Sequence, residues 1–294
     1  MIAIMGASGH TGRVAAEKLI AAGKTIRVIG RSADKLSKFA DRGAEVAAGD
    51  AFDASFLAGA FQGAEGVYAM VSPDYATPDV RALYNRAGDA IAEAARRAGV
   101  RRIVLLSSLG GEHERGTGPI AGLHDIEQKL GALGIDLLTL RPSYFYENFF
   151  LSLPLIKSQG INGGAIDPDV AFPMTATADI GAAAGEELAR GEFRGTSVRE
   201  LLGPRDYTMA ETTKILGAQI GKPDLAYVRF PDSDYAAALV GAGFSQGSSE
   251  SLVEMAHAIS EGLVHSNQGR TARTTMPTTF ESFAKELAAA YRAL

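Results

Sequence analysis

The 294 residues predict an α/β protein: a doubly wound parallel sheet of Rossmann type, followed by a smaller, mostly helical C-terminal domain. Short apolar runs alternate with segments of helical period from residue 2 to residue 140. The connections between them are short and carry glycine stops or capping residues. Glycines stand at 6, 9 and 12, between the first apolar run and the first helix.

Ile2–Met5 reads as a buried strand. The segment 11–22 places Val14, Ala15, Leu19 and Ala22 on one side of a helix that Gly23 stops. A second strand covers 25–29, and Ser32 is placed to cap a helix running to about Ala40. A third strand, 44–48, ends at Gly49-Asp50, and a short helix follows at 56–61. The fourth strand, 66–72, stops before Pro73. From Asp79 to Ala98, apolar residues at 80, 83, 84, 87, 91 and 94 recur at the helical period, and Gly99 closes the helix. The fifth strand covers 102–107. A glycine-rich loop, a helix at 121–132 and a sixth strand at 135–140 follow.

After Arg141-Pro142 the pattern loosens. Aromatics crowd 144–150, and 162–173 reads as loop. Helices are expected at 179–190 and 208–220, with a strand at 197–202 between them. Two C-terminal helices follow, one near 249–264 and one opening at Thr278, where Thr278 and Glu281 have capping-box spacing.

An apolar fraction of 46% is enough to build a core. The absence of cysteine excludes disulfides, thiolate zinc sites and cysteine nucleophiles, and fits a reducing, cytoplasmic compartment. A formal charge of −5 opposes a phosphate-gripping surface. The densest basic stretch, Arg96, Arg97, Arg101 and Arg102, reads as a helix end complementing its dipole. Direct nucleic-acid binding is therefore not expected. No apolar run approaches the ~18 residues of a membrane span, and strand begins at once where a secretory leader would lie.

The strongest motif is Gly6-Ala7-Ser8-Gly9-His10-Thr11-Gly12, between a strand and a helix. In that context Gly6 allows a tight turn, Gly9 a close approach to a pyrophosphate, and Gly12 close packing of helix on sheet. The helix N-terminus supplies free N–H groups for the phosphates. The second strand ends in Gly30-Arg31 with no carboxylate to hold a ribose 2′-hydroxyl. Arg31, with Lys35 beside it, suits a 2′-phosphate instead, so NADP(H) is expected over NAD(H). Asp50, Ser72, Pro73 and Ser107 stand at strand carboxyl ends, where ligands of open α/β sheets bind.

These segments resemble the NmrA-like group of atypical short-chain dehydrogenases/reductases. The likeness runs through Gly6–Gly12, Gly30-Arg31, Gly99–Ser108, Leu140–Phe149, Met174–Leu188 and Leu201–Gly221. It implies a Rossmann domain over 1–150 to which the chain returns at about 174–225. A smaller substrate domain, from 151–173 and 226–294, would face it across a cleft. The group includes quinone and dye reductases, isomerase-like proteins, and dinucleotide sensors that act through a protein partner without turnover.

Short-chain dehydrogenases place Tyr-x-x-x-Lys on the helix after the fifth strand. Here Lys129 is present, but Asp125 stands four residues before it. That departure speaks against alcohol chemistry, and Asp125 and Lys129 have the spacing of an i,i+4 ion pair. His124, Glu127 and Lys129 are the candidate proton-handling groups, His124 because it titrates near neutrality. Tyr144, Phe145 and Tyr146 are the candidate walls for a flat aromatic substrate. The expected activity is hydride transfer from NADPH to a small electron-poor acceptor such as a quinone; the alternative is a redox sensor.

Overall fold

A computed structural model describes residues 1–294. The first part of the chain runs β1 (Ile2–Met5), α1 (His10–Ala21), β2 (Ile26–Gly30), α2 (Ser37–Ala40), β3 (Glu45–Ala48), α3 (Ala54–Phe61), β4 (Gly66–Ala69), α4 (Val80–Ala98), β5 (Arg102–Leu106), α5 (Ile120–Gly131) and β6 (Asp136–Pro142). It continues through β7 (Tyr144–Phe145), α6 (Leu153–Gln159), β8 (Asn162–Gly164), β9 (Phe172–Thr175), α7 (Thr177–Arg190), β10 (Thr196–Leu201), β11 (Asp206–Tyr207) and α8 (Met209–Gln219). The last elements are β12 (Tyr227–Arg229), α9 (Asp232–Gly241), α10 (Gln246–Ser260) and α11 (Phe280–Ala293).

Seven strands form one parallel sheet in the order β10-β6-β5-β4-β1-β2-β3. The chain winds outward through β2 and β3, then returns to lay β4 on the other side of β1 and winds the opposite way. The crevice between the carboxyl ends of β1 and β4 is therefore the topological switch point, where such sheets bind ligands. β1 and β4 are buried throughout, because helices cover both faces. One apolar core packs the sheet against α3, α4 and α5. The other packs it against α1 and α7.

The approach of α7 to α1 depends on two glycines one turn apart. A Cβ on Gly181 would lie 2.4 Å from the Thr11 carbonyl oxygen, and one on Gly185 would lie 2.8 Å from Lys18 Cβ. With α7 seated there, β10 adds to β6 as the edge strand. A third core joins the 146–156 segment to α8 and α11 through Tyr146, Phe149, Tyr207, Phe280 and Phe283. Two small sheets, β11-β9-β7 and β12-β8, flank it. No helix is long and apolar enough to cross a membrane.

Several boundaries differ from the sequence pattern. The fourth strand ends at Ala69, not Ser72. Ser32 caps nothing: a 3₁₀ turn at Asp34–Leu36 precedes the four-residue α2. The stretch 162–173, read as loop, contributes β8 and the start of β9. The last helix is capped by Thr279, whose hydroxyl accepts from the Ser282 N–H. Thr278 instead donates its N–H and hydroxyl to Asp179, tying α11 to α7. Helix α6 is only seven residues long and buries Leu153 and Ile156 alone; α9 buries none of its side chains.

Candidate active site

The turn after β1 is shaped by what a side chain would strike. Gly6 has φ +64°, and a Cβ there would sit 2.6 Å from Met70 Sδ. A Cβ on Gly9 would meet the Gly6 carbonyl oxygen at 3.3 Å. On Gly12 it would meet that same oxygen at 2.4 Å and the Met5 oxygen at 2.8 Å. The Gly9 N–H closes the turn onto the Gly6 carbonyl at 2.8 Å. The N–H groups of Ser8, His10, Thr11 and Gly12 have no hydrogen-bond acceptor within the chain. Ser8, Gly9 and His10 are exposed, so the turn is open at the switch point, while Thr11 and Gly12 are buried at the start of α1. This bare cradle with a helix dipole behind it fits a dinucleotide pyrophosphate.

Ala7 and Thr11 contribute backbone only. Ala7 is fully buried in the core under α1. The Thr11 hydroxyl accepts from the buried Tyr68 hydroxyl at 2.9 Å. Arg31 and Lys35 are exposed, and neither side chain has a hydrogen-bond or ion-pair partner in the chain. They stand just beyond β2, where the ribose of an adenosine lies in this fold. Asp50 is exposed, with one carboxylate oxygen accepting from the Phe52 N–H at 2.9 Å in a local turn. Ser72 and Pro73 are exposed in the loop after β4.

The three proton-handling candidates are placed differently from the expectation. Glu127 is buried, and both its oxygens accept from Arg141, at 3.0 Å from Nε and 2.6 Å from a terminal nitrogen. The buried Ser107 hydroxyl also donates to Glu127, at 2.5 Å. Glu127 and Ser107 thus form a clamp fastening α5 to β5 and β6, rather than a free acid and a ligand contact. Lys129 reaches across to α4, donating to Asp89 at 2.5 Å and to the Asn85 carbonyl at 3.1 Å. The expected Asp125–Lys129 pair does not form. Asp125 instead takes a two-point hydrogen bond from Arg81, at 2.8 and 2.9 Å. Those bonds from Arg81 hold its carboxyl below the ordinary value, against the opposing effect of burial. His124 bonds the Gly111 carbonyl through Nδ1 at 2.9 Å, so that nitrogen carries the proton and Nε2 is left free.

Beyond β6 the three aromatics separate. Tyr146 is fully buried in the third core, its hydroxyl donating to the Thr278 carbonyl at 3.2 Å, so it walls no substrate. Phe145 is half-buried against the α1–α7 core. Tyr144 borders a small cavity of 40 Å³ with Ser108, Leu109, Ser143, Phe172 and Met255. Burial raises its phenol far above the ordinary value, so it stays neutral. His124, Glu127 and Lys129 do not line this cavity. A larger cavity of 280 Å³ shares Phe172, Pro173, Ile259 and Val264 with it.

Glu147 was not singled out by the sequence pattern. It accepts from the Thr177 N–H at 3.0 and 3.1 Å and from the Thr177 hydroxyl at 2.5 Å, capping α7 beside the start of α1. Burial pushes its carboxyl up; the Thr177 bonds and the nearby His10 pull it back. A charged residue among aromatics just after a strand was the available signal. In the same segment Arg141 holds Glu127, and Ser143 lines the small cavity.

A profile of the NmrA-like family matches residues 1–287. The chain belongs to the NmrA-like family. It is 30% identical over 271 residues to quinone oxidoreductase 2 of Escherichia coli, covering 89% of each chain. It is 26% identical over 301 residues to an NAD(P)H azoreductase of Xenophilus azovorans, covering 100% of both. Among solved structures, the NADPH-dependent quinone oxidoreductase of Escherichia coli complexed with NADPH superposes with a TM-score of 0.85 at 26% identity, over 98% of this chain and 99% of that one.

Proposed function

We propose that this protein is an NADPH-dependent oxidoreductase acting on a small, flat, electron-poor acceptor such as a quinone. The observation that carries the reading is the side-chain-free cradle at the switch point, where unpaired N–H groups lie in the open turn and at the start of α1. Arg31 and Lys35, unpaired beyond β2, supply the charge for a 2′-phosphate and favour NADPH over NADH. Bound NADPH supplies a hydride, whose two electrons reduce a quinone to its hydroquinone monoanion, and solvent supplies the second proton.

That chemistry asks little of the protein as an acid or base. This accords with a site where Glu127 and Lys129 are committed to ion pairs and the Tyr144 phenol stays neutral. The chain's task is to hold and orient: the glycine turn grips phosphates, and the walls around Tyr144 exclude water from one side of the acceptor. A cysteine-free chain with no membrane-length apolar helix suits the cytoplasm. The test is to mix protein, NADPH and a panel of quinones and follow loss of nicotinamide absorbance. Turnover with at least one quinone is expected. Binding of NADPH with no turnover on any acceptor would instead mark a dinucleotide sensor acting on a protein partner.

A further inference from the structure

We infer that Ser143 seats a carbonyl oxygen of the acceptor and is the residue that selects carbonyl-bearing acceptors. This rests on the oxidoreductase reading for its substrate class. Ser143 directly follows β6 and is 3% exposed. Its N–H donates to the Leu201 carbonyl at 3.0 Å, fixing the backbone between the edge strand and the sheet. Its hydroxyl oxygen is buried and has no hydrogen-bond partner. Buried hydroxyls ordinarily find partners, so an unpartnered one on a residue that lines a cavity is available to a ligand entering it.

The cavity it lines is mostly apolar, with Leu109, Ile120, Phe172, Met255 and Val264 in its wall; Ser108 and Tyr144 are the other hydroxyl-bearing residues there, and Ser143 alone of the three is a buried serine hydroxyl without a partner. At 40 Å³ it admits the carbonyl edge of a ring, not a whole fused ring system. Its position suits the chemistry. From β1 to β6 is three strand spacings, roughly 14 Å at about 4.8 Å per strand. The nicotinamide half of a dinucleotide anchored at the glycine turn fits within that span. When a quinone accepts a hydride, negative charge develops on a carbonyl oxygen. A hydroxyl fixed in an apolar wall donates to that oxygen more strongly as the charge grows. Ser107, the residue directly after β5, cannot serve in this way, because its hydroxyl already donates to Glu127.

The test compares wild type with Ser143→Ala, each loaded with NADP+. Calorimetry measures binding of xanthone, a flat ketone used here as a non-turnover probe, and of xanthene, which has the same rings without the carbonyl. Loss of one hydrogen bond predicts about tenfold weaker xanthone binding and unchanged xanthene binding. In the turnover arm, kcat/KM for a quinone falls about tenfold or more, while a cationic triphenylmethane dye, which takes hydride at carbon, is unaffected. Equal loss for both acceptors, equal xanthone affinity in the two proteins, or failure of wild type to bind xanthone overturns the assignment. Selective loss of xanthone binding in a protein that turns over no acceptor keeps the carbonyl seat and removes the oxidoreductase reading.

Discussion

Replacing Gly12 by alanine tests the cradle with a single atom. The added Cβ would lie 2.4 Å from the Gly6 oxygen, 2.6 Å from the Gly6 carbonyl carbon and 2.8 Å from the Met5 oxygen. Carbon and carbonyl oxygen normally approach to about 3.3 Å, so α1 and the turn must separate by roughly 0.9 Å. All three obstacles are backbone, and no side chain can swing aside. Overpacking of this kind costs ~1–3 kcal/mol of stability. The same shift moves the N–H groups of His10 and Thr11 away from a bound phosphate. Losing two charge-assisted hydrogen bonds, at ~1.5 kcal/mol or more each, weakens NADPH by about 100-fold or more. The control is Gly59→Ala in α3, where nothing lies within 4 Å of the added atom. That change should stabilise the fold by up to ~1 kcal/mol through helix propensity and leave binding alone. Urea unfolding gives the stabilities and calorimetry gives the affinities. A Gly12→Ala protein as stable as wild type and binding NADPH within threefold of it would refute the steric argument.

Arg31→Ala should weaken NADPH by about tenfold or more, the loss of a charge-assisted phosphate contact, and leave NADH within twofold, measured by parallel titrations. Glu127→Gln removes the charge that neutralises Arg141 and should lower stability by ~3 kcal/mol in urea unfolding, since breaking a buried ion pair strands its partner; a change under 0.5 kcal/mol would show that Glu112 alone suffices. Lys129→Met should leave NADPH affinity and turnover unchanged, because the ammonium it removes is held on α4; a loss of activity at unchanged affinity would return Lys129 to the reaction. Burial raises the folded-state values of both Glu147 and Asp179. The folded protein thus holds their protons more tightly than the unfolded chain, and stability falls as pH rises from the ordinary carboxylate range through these elevated values. In urea melts across that window, Asp179→Asn should flatten the decline, and an unchanged slope would contradict the assignment.

The sheet and the phosphate turn were legible because their signals are local. Each central strand is a short apolar run set off by glycine, proline or polar residues, and Gly6, Gly9 and Gly12 crowd one another's backbone across a single turn. The C-terminal part was less legible because its contacts are distant in sequence. Tyr144, Phe145 and Tyr146 look alike as an aromatic run. Only the arrival of Phe280 and Phe283, more than 130 positions later, decides that Tyr146 is core while Tyr144 borders a cavity. Lys129 and Asp125 have the spacing of a helical ion pair, yet α4 offers each a better partner, Asp89 and Arg81. Glu127 resembled a free acid until β6 brought Arg141 against it. The short α6 and α9 carry too little apolar periodicity to be recognised.

The account stands on one event, the seating of a phosphorylated dinucleotide on the turn between β1 and α1. Calorimetric titration of the wild-type chain with NADPH, and separately with NADH, tests it most directly. Saturable one-to-one binding of NADPH, about tenfold or more tighter than that of NADH, is predicted. Failure of both dinucleotides to bind the folded protein would contradict it.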